Sequence, residues 1–98
     1  MDVFKAIADP TRRSIIDLVA REPVNINAIA ENFDMSRPAV SKHIKVLLDS
    51  GLVGVDQQGR DRFLYLQLKA LKEVQFWLKK YEYFWNDNLD RLGEFLEQ

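Results

Sequence analysis

Apolar side chains recur at helical spacing along most of the chain and change to a strand-like period only once, between residues 52 and 66. Val3, Phe4 and Ile7 predict a short first helix. Asp9-Pro10 reads as an N-cap followed by proline at the first helical position, where its missing N–H costs nothing. Ile15, Ile16, Leu18 and Val19 then give a second helix one inward face, which Pro23 ends. Asn25 caps a third helix with Ile26, Ile29, Ala30 and Phe33 inward. After a tight turn at Asp34-Met35, Ser36 caps a fourth helix that tolerates Pro38 in its first turn. Val40, Ile44, Leu47 and Leu48 fall on one face of it, and Gly51 suits the C′ position that follows.

Leu52-Val53-Gly54-Val55 and Arg62-Phe63-Leu64-Tyr65-Leu66 read as two short strands around the turn Gln57-Gln58-Gly59-Arg60-Asp61, with glycine at its tip. From about Leu71 to Leu96 the helical pattern runs on, interrupted only by Gly93, which predicts a last helix of about 39 Å. The expected fold is mainly α with a small β-hairpin wing (α+β): helices 1 to 4, a two-stranded wing and a long C-terminal helix over about 70–97. With 98 residues the chain has room for one compact domain over 1–98, and a domain of that size gains from an added interface.

Composition narrows the function. The chain has no cysteine, which excludes disulfides, thiolate metal sites and thiol redox switches. No apolar run approaches the roughly 20 residues of a membrane span, and Met1-Asp2-Val3-Phe4-Lys5 lacks a signal peptide's apolar core. A soluble, cytoplasmic protein without a membrane partner is expected. The net charge of −1 argues against a general polyanion binder, but the charge is unevenly placed. Residues 36–45 hold Arg37, Lys42 and Lys45 and no acid, whereas residues 72–98 hold more acidic than basic side chains. A local excess steers a ligand more specifically than the total does.

Two short helices joined by a tight turn, the second capped and basic, form a helix-turn-helix, whose second helix enters the major groove of double-stranded DNA with its N-terminal residues at the base edges. Pro38, Ala39, Lys42 and Lys45 point away from the Val40/Ile44/Leu47 face, with Arg37 and Ser41 beside them. Arg37 is the candidate for base readout, because a guanidinium pairs bidentately with guanine. Lys42 and Lys45 suit phosphates, and Ser36 and Ser41 suit either. At the wing, Arg60 and Arg62 flank the tip and are shaped for a narrow minor groove or for phosphate. Asp56 and Asp61 neutralise that segment, and Arg62 has them as alternative partners. The plain alternative to all of this is a solvated amphipathic helix; the hairpin that follows weighs against it.

The runs Phe4-Lys5-Ala6-Ile7-Ala8-Asp9-Pro10-Thr11-Arg12-Arg13, Ser36-Arg37-Pro38-Ala39-Val40-Ser41-Lys42-His43-Ile44-Lys45-Val46-Leu47 and Ser50-Gly51-Leu52-Val53 resemble the ArsR family of dimeric repressors. The resemblance covers residues 3–68 and implies a winged helix, a dimer built from the first and last helices, and repression of its own or a nearby operon. The Trp77, Tyr81, Phe84-Trp85 segment looks like the non-metal-sensing, SdpR-like branch. Metal-sensing members carry cysteines near the third helix or Asp/His sets on the last; here neither is found. Soft metals and zinc prefer thiolate or imidazole. The one histidine, His43, reads as a hydrogen-bonded flank residue or a DNA contact rather than a ligand. No cofactor is expected.

Six of the eleven aromatics lie between Phe76 and Trp85. Trp77, Tyr81, Phe84, Leu92 and Phe95 follow one helical stripe, and Val74, Leu78, Trp85, Leu89 and Leu96 a neighbouring one. Together they are wider than the face a terminal helix spends on its own domain. A homodimer interface, with Phe4, Trp77, Tyr81, Phe84, Trp85, Leu89 and Leu92, is favoured over a pocket for an apolar effector. The sequence leaves the effector open: an unknown protein, an apolar small molecule, or none. Catalysis is not expected, because converging nucleophile, base and phosphate-loop signals are missing. Phe63 and Tyr65 share one strand face, which suits wing packing better than RNA stacking. The remaining competitor is a winged helix used only for protein–protein contact, which would have no need of a basic, acid-free Ser36–Lys45.

Overall fold

A side chain caps the start of each of the first four helices, and these caps fix where the elements begin. The computed structural model describes residues 2–86. Helix α1 (Val3–Ile7) starts on Asp2, whose carboxylate accepts the Phe4 N–H at 2.8 Å. Helix α2 (Pro10–Ala20) starts on Asp9, which accepts the Arg12 N–H at 3.1 Å, with Pro10 in the first turn. A short strand β1 (Val24–Asn25) leads into α3 (Ile26–Glu31), where Asn25 accepts the Asn27 N–H at 3.0 Å. Helix α4 (Arg37–Asp49) starts on Ser36, whose hydroxyl accepts the Ala39 N–H at 3.3 Å. Strands β2 (Val53–Gln58) and β3 (Asp61–Leu66) follow, then α5 (Leu68–Lys79). The architecture is the expected one: mainly helical, with a small β wing.

The core draws on every element but α5 and β1. Val3, Ala6, Ile15, Val19, Ile29, Val40, Ile44, Leu47, Leu52, Val53 and Leu64 are buried. Each large aliphatic among them contributes about 1.5–3 kcal/mol relative to exposure. α4 ends in a Schellman motif: the Leu52 N–H bonds to the Leu47 carbonyl at 3.1 Å, and the Gly51 N–H to the Leu48 carbonyl at 3.1 Å. Gly51 takes φ +78°, the left-handed conformation that this motif demands. Leu52 is fully buried, and β2 begins at the next residue, so the motif sets the direction of the wing relative to α4.

Three features differ from the sequence expectation. The sheet has three strands in the order β1-β3-β2, because Val24 and Asn25 pair antiparallel with Leu64 and Phe63. A two-residue strand exists only through that non-local pairing and leaves no periodicity to read. The hairpin is also longer and tighter than expected: Gln58 pairs with Asp61 across a two-residue Gly59-Arg60 turn. Gly59 has φ +65° and Arg60, like every described non-glycine residue, does not have positive φ, the pattern of a type II′ turn. Finally, the last helix begins at Leu68 and does not run unbroken. The Lys80 and Tyr81 N–H groups bond three residues back, to Trp77 and Leu78 at 3.3 and 2.9 Å, which tightens and closes α5 before helix resumes over 82–86. Residues 87–98, with Leu89 and Leu92 of the expected interface, lie outside the described residues. No described helix is long and apolar enough to cross a membrane.

Candidate nucleic-acid interface

α3 and α4 are joined by only three residues between the Asn32 and Ser36 caps, Phe33-Asp34-Met35, and Phe33 tucks against the core. The turn is therefore anchored, and α4 is held by Val40, Ile44 and Leu47 on its inner side. That leaves Ser36, Arg37, Pro38, Ser41, Lys42 and Lys45 exposed, whereas Ala39, expected to point away from the core, is half-buried. No acidic side chain lies in the first turn of α4. Arg37 instead stands at its first position, against the helix dipole, an arrangement that costs about 0.3–1 kcal/mol in an isolated helix. Among the described residues the single ion pair is Arg12–Asp9, so Arg37, Lys42 and Lys45 have no carboxylate partner there.

The wing treats its acids in a way that the sequence does not disclose. Asp61 accepts from the Asn25 amide at 3.2 Å, and Asp56 from the Gln58 amide at 3.0 Å. Neither pairs with Arg60 or Arg62, so both arginines remain exposed without an ion-pair partner among the described residues. Their placement separates them. Arg60 stands in the turn at the wing tip, whereas Arg62 lies on β3 opposite Gln57. Arg62 also lines a cleft of about 280 Å³ with Ser41 and Lys45 of α4, over Ile26, Ile44 and Leu48. The fold thus brings one wing arginine next to the second half of α4.

The sequence reading passes over Arg12. Its Nε donates to the Ala6 carbonyl at 2.7 Å and a terminal nitrogen to the Lys5 carbonyl at 2.9 Å. Its other terminal nitrogen lies 3.3 Å from His43 Nδ1 and 4.0 Å from the Asp9 carboxylate. Arg13 in turn donates to the Ile7 carbonyl at 2.7 Å. The two arginines take up the Ala6 and Ile7 carbonyls at the end of α1, and Arg12 shares the Lys5 carbonyl with the Ala8 N–H. The available signal was two arginines in the first turn of α2, where no acid accompanies them. Asp9 is held below the ordinary carboxylate range, chiefly by the Arg12 N–H bond, against a small cost of burial, with a protonated His43, the Thr11 N–H and the Arg12 charge as further lowering influences. His43 itself is half-buried at this contact.

A second surface lies along α5. α5 buries no residue fully; Ala70, Leu71 and Val74 rest against the core, and the apolar side chains beyond them face outward. Phe76 is 70% exposed, Trp77 45%, Phe84 61% and Trp85 45%. Phe4 meets Trp77 edge to face at 5.6 Å, Trp77 meets Tyr81 at 5.3 Å, and Tyr81 meets Phe84 at 6.5 Å. Four of the expected interface residues thus form one aromatic row joining α1 to the chain after α5.

The helix-turn-helix domain family matches residues 7–56, from the end of α1 into the first strand of the wing. The chain is 34% identical to the transcriptional repressor SdpR of Bacillus subtilis over 77 residues, covering 79% of this chain and 86% of that protein. It is 32% identical to the HTH-type transcriptional regulator Rv2034 of Mycobacterium tuberculosis over 94 residues, covering 96% and 85%. A crystal structure of an ArsR family transcriptional regulator superposes with a TM-score of 0.75 at 36% identity, covering 85% of this chain and 86% of that one.

Proposed function

The chain belongs to the ArsR family of winged helix-turn-helix transcription regulators, and from that premise we propose that it is a repressor that binds an inverted-repeat operator as a homodimer. The observation that carries the reading is the outer side of α4. Three exposed cations there have no carboxylate partner among the described residues, and Arg37 occupies a position that helix electrostatics would give to an acid. A helix start that forgoes its own best charge is kept for an external anion or base edge. Arg37 then reads a base pair, Lys42 and Lys45 hold phosphates, Ser36 and Ser41 complete the contact, and Pro38 and Ala39 allow close approach to the groove floor.

Arg60 at the wing tip reaches the flanking minor groove. Arg62, beside Ser41 and Lys45, is assigned to the phosphate between wing and helix instead of to the tip. The homodimer rests on the packed aromatic row from Phe4 to Phe84, together with the exposed Trp85, which offer an open apolar surface. Such a surface suits a second copy better than an apolar effector. We place the chain in the non-metal-sensing, SdpR-like branch, supported by the sequence's lack of cysteine and by the engagement of its one histidine with Arg12. The proposed role is binding without catalysis, exercised in the cytoplasm.

Selection of binding sites from a randomised duplex library tests this directly. The expected result is enrichment of one inverted repeat. Recovery of the input library, with no sequence enriched, would favour a module that contacts only proteins.

A further inference from the structure

The DNA-reading helix is tied to the rest of the molecule by one polar contact that its apolar face does not explain. Arg12 is fixed by three groups at the α1–α2 junction: the Lys5 and Ala6 carbonyls and the Asp9 carboxylate. The terminal nitrogen that faces Asp9 also lies 3.3 Å from Nδ1 of His43, thirty-one residues along the chain, on α4. A guanidinium has only donors and stays protonated, so Nδ1 must supply the lone pair and the ring proton must sit on Nε2.

We infer that Arg12 and His43 are a positioning pair for the proposed DNA reading, holding α4 at its angle to the α1–α2 corner only while His43 is neutral. Both neighbours of His43 in the sequence face other tasks: Lys42 is exposed on the outer side and Ile44 is buried in the core. A small rotation of α4 about its axis at His43 therefore moves Lys42, and with it Arg37 one and a half turns earlier. Protonation would place an N–H against an N–H and two cations at contact distance. The charged groups about the ring are Arg12 and Asp9 from α2, the exposed Lys5 from α1, and Lys42 on its own helix. α3 and β2, which also pack on α4, bring only Glu31 and Asp56, both exposed and neither bonded to the ring. Asp9 remains ionised where histidine titrates, and its attraction softens the repulsion without restoring the lost hydrogen bond.

The assignment rests on the DNA-binding reading, and the test separates the two. Because the chain has one histidine, nitrogen NMR of the full protein reports its tautomer without ambiguity. The Nε2–H tautomer is expected at about pH 8, above the ordinary histidine range. Affinity for the selected operator and for scrambled duplex is then measured from about pH 8 to about pH 5.5. Their ratio cancels the general gain in affinity that any added positive charge brings. For the parent chain the ratio should fall on the order of tenfold toward low pH, the loss expected when a charge-assisted hydrogen bond is broken.

His43→Asn keeps an acceptor near the position of Nδ1 at similar helix propensity and cannot titrate, so it should match the parent at high pH and stay flat. His43→Phe keeps the ring and removes the acceptor, and should discriminate poorly at every pH while melting as one cooperative unit. A parent and a His43→Asn variant with the same pH profile, or an Nδ1–H tautomer at high pH, overturns the pair alone. A parent that binds no DNA at any pH overturns the function and the assignment with it.

Discussion

At the scale of single residues, the fold separates cations that look alike in the sequence. Arg12 and Arg13 bond to carbonyls at the end of α1, whereas Arg37, Lys42 and Lys45 have no carboxylate partner among the described residues. Arg37→Ala should cost about 1–3 kcal/mol in operator binding and relax the preference at one base pair. Lys42→Ala and Lys45→Ala should weaken operator and scrambled DNA alike, and each should reduce the salt slope by about one. Anisotropy titrations at several salt concentrations distinguish the two outcomes. Asp9 gives a prediction about stability. Its carboxyl is held low in the folded chain by the Arg12 N–H bond, so the stabilisation is complete above the unfolded carboxyl's ordinary pKa. It is lost as pH falls through the depressed folded value. Asp9→Ala should destabilise by about 1 kcal/mol near neutral pH, and the gap to the parent should close in acid, as chemical denaturation at each pH would show. This distinction between arginines was not legible in the sequence, because Arg12 finds His43 across thirty-one positions.

At the scale of elements, what was legible was what is local. Asp9, Asn25 and Ser36 cap the helices that they were expected to cap, because a cap needs only its own backbone two or three residues on. β1 was not legible, since Val24-Asn25 is a strand only by virtue of Phe63 and Leu64. The turn that closes α5 was hidden for a different reason: the apolar stripe continues through Lys80 and Tyr81, so the periodicity gives no sign of it. The acids of the wing were expected to compete for Arg62, but amides from β1 and β2 occupy them. The Schellman end of α4 carries a prediction at this scale. Gly51→Ala should destabilise by about 1–2 kcal/mol, because a Cβ is strained at φ +78°. It should also reduce operator affinity beyond the fraction unfolded, because the same motif directs the wing. Thermal melts beside titrations at a temperature well below the transition separate these effects.

At the scale of the whole molecule, one chain presents a basic outer side on α4 and an aromatic row from Phe4 to Phe84, and the proposed function joins the two in a two-fold assembly on DNA. Trp77→Glu or Trp85→Glu should shift sedimentation at micromolar concentration from about twice the chain mass to the monomer, since an unpaired carboxylate buried at an interface costs several kcal/mol. Zinc, cadmium and arsenite at stoichiometric concentration should leave operator affinity unchanged, which metal titration into the protein–DNA complex would check. The most direct measurement is footprinting of the selected operator at increasing protein concentration. Two recognition helices related by a two-fold axis should protect an inverted repeat with half-sites about one helical turn, roughly 34 Å, apart, filled together by two chains. Protection of a single half-site by one chain, or no protection at all, would contradict the account.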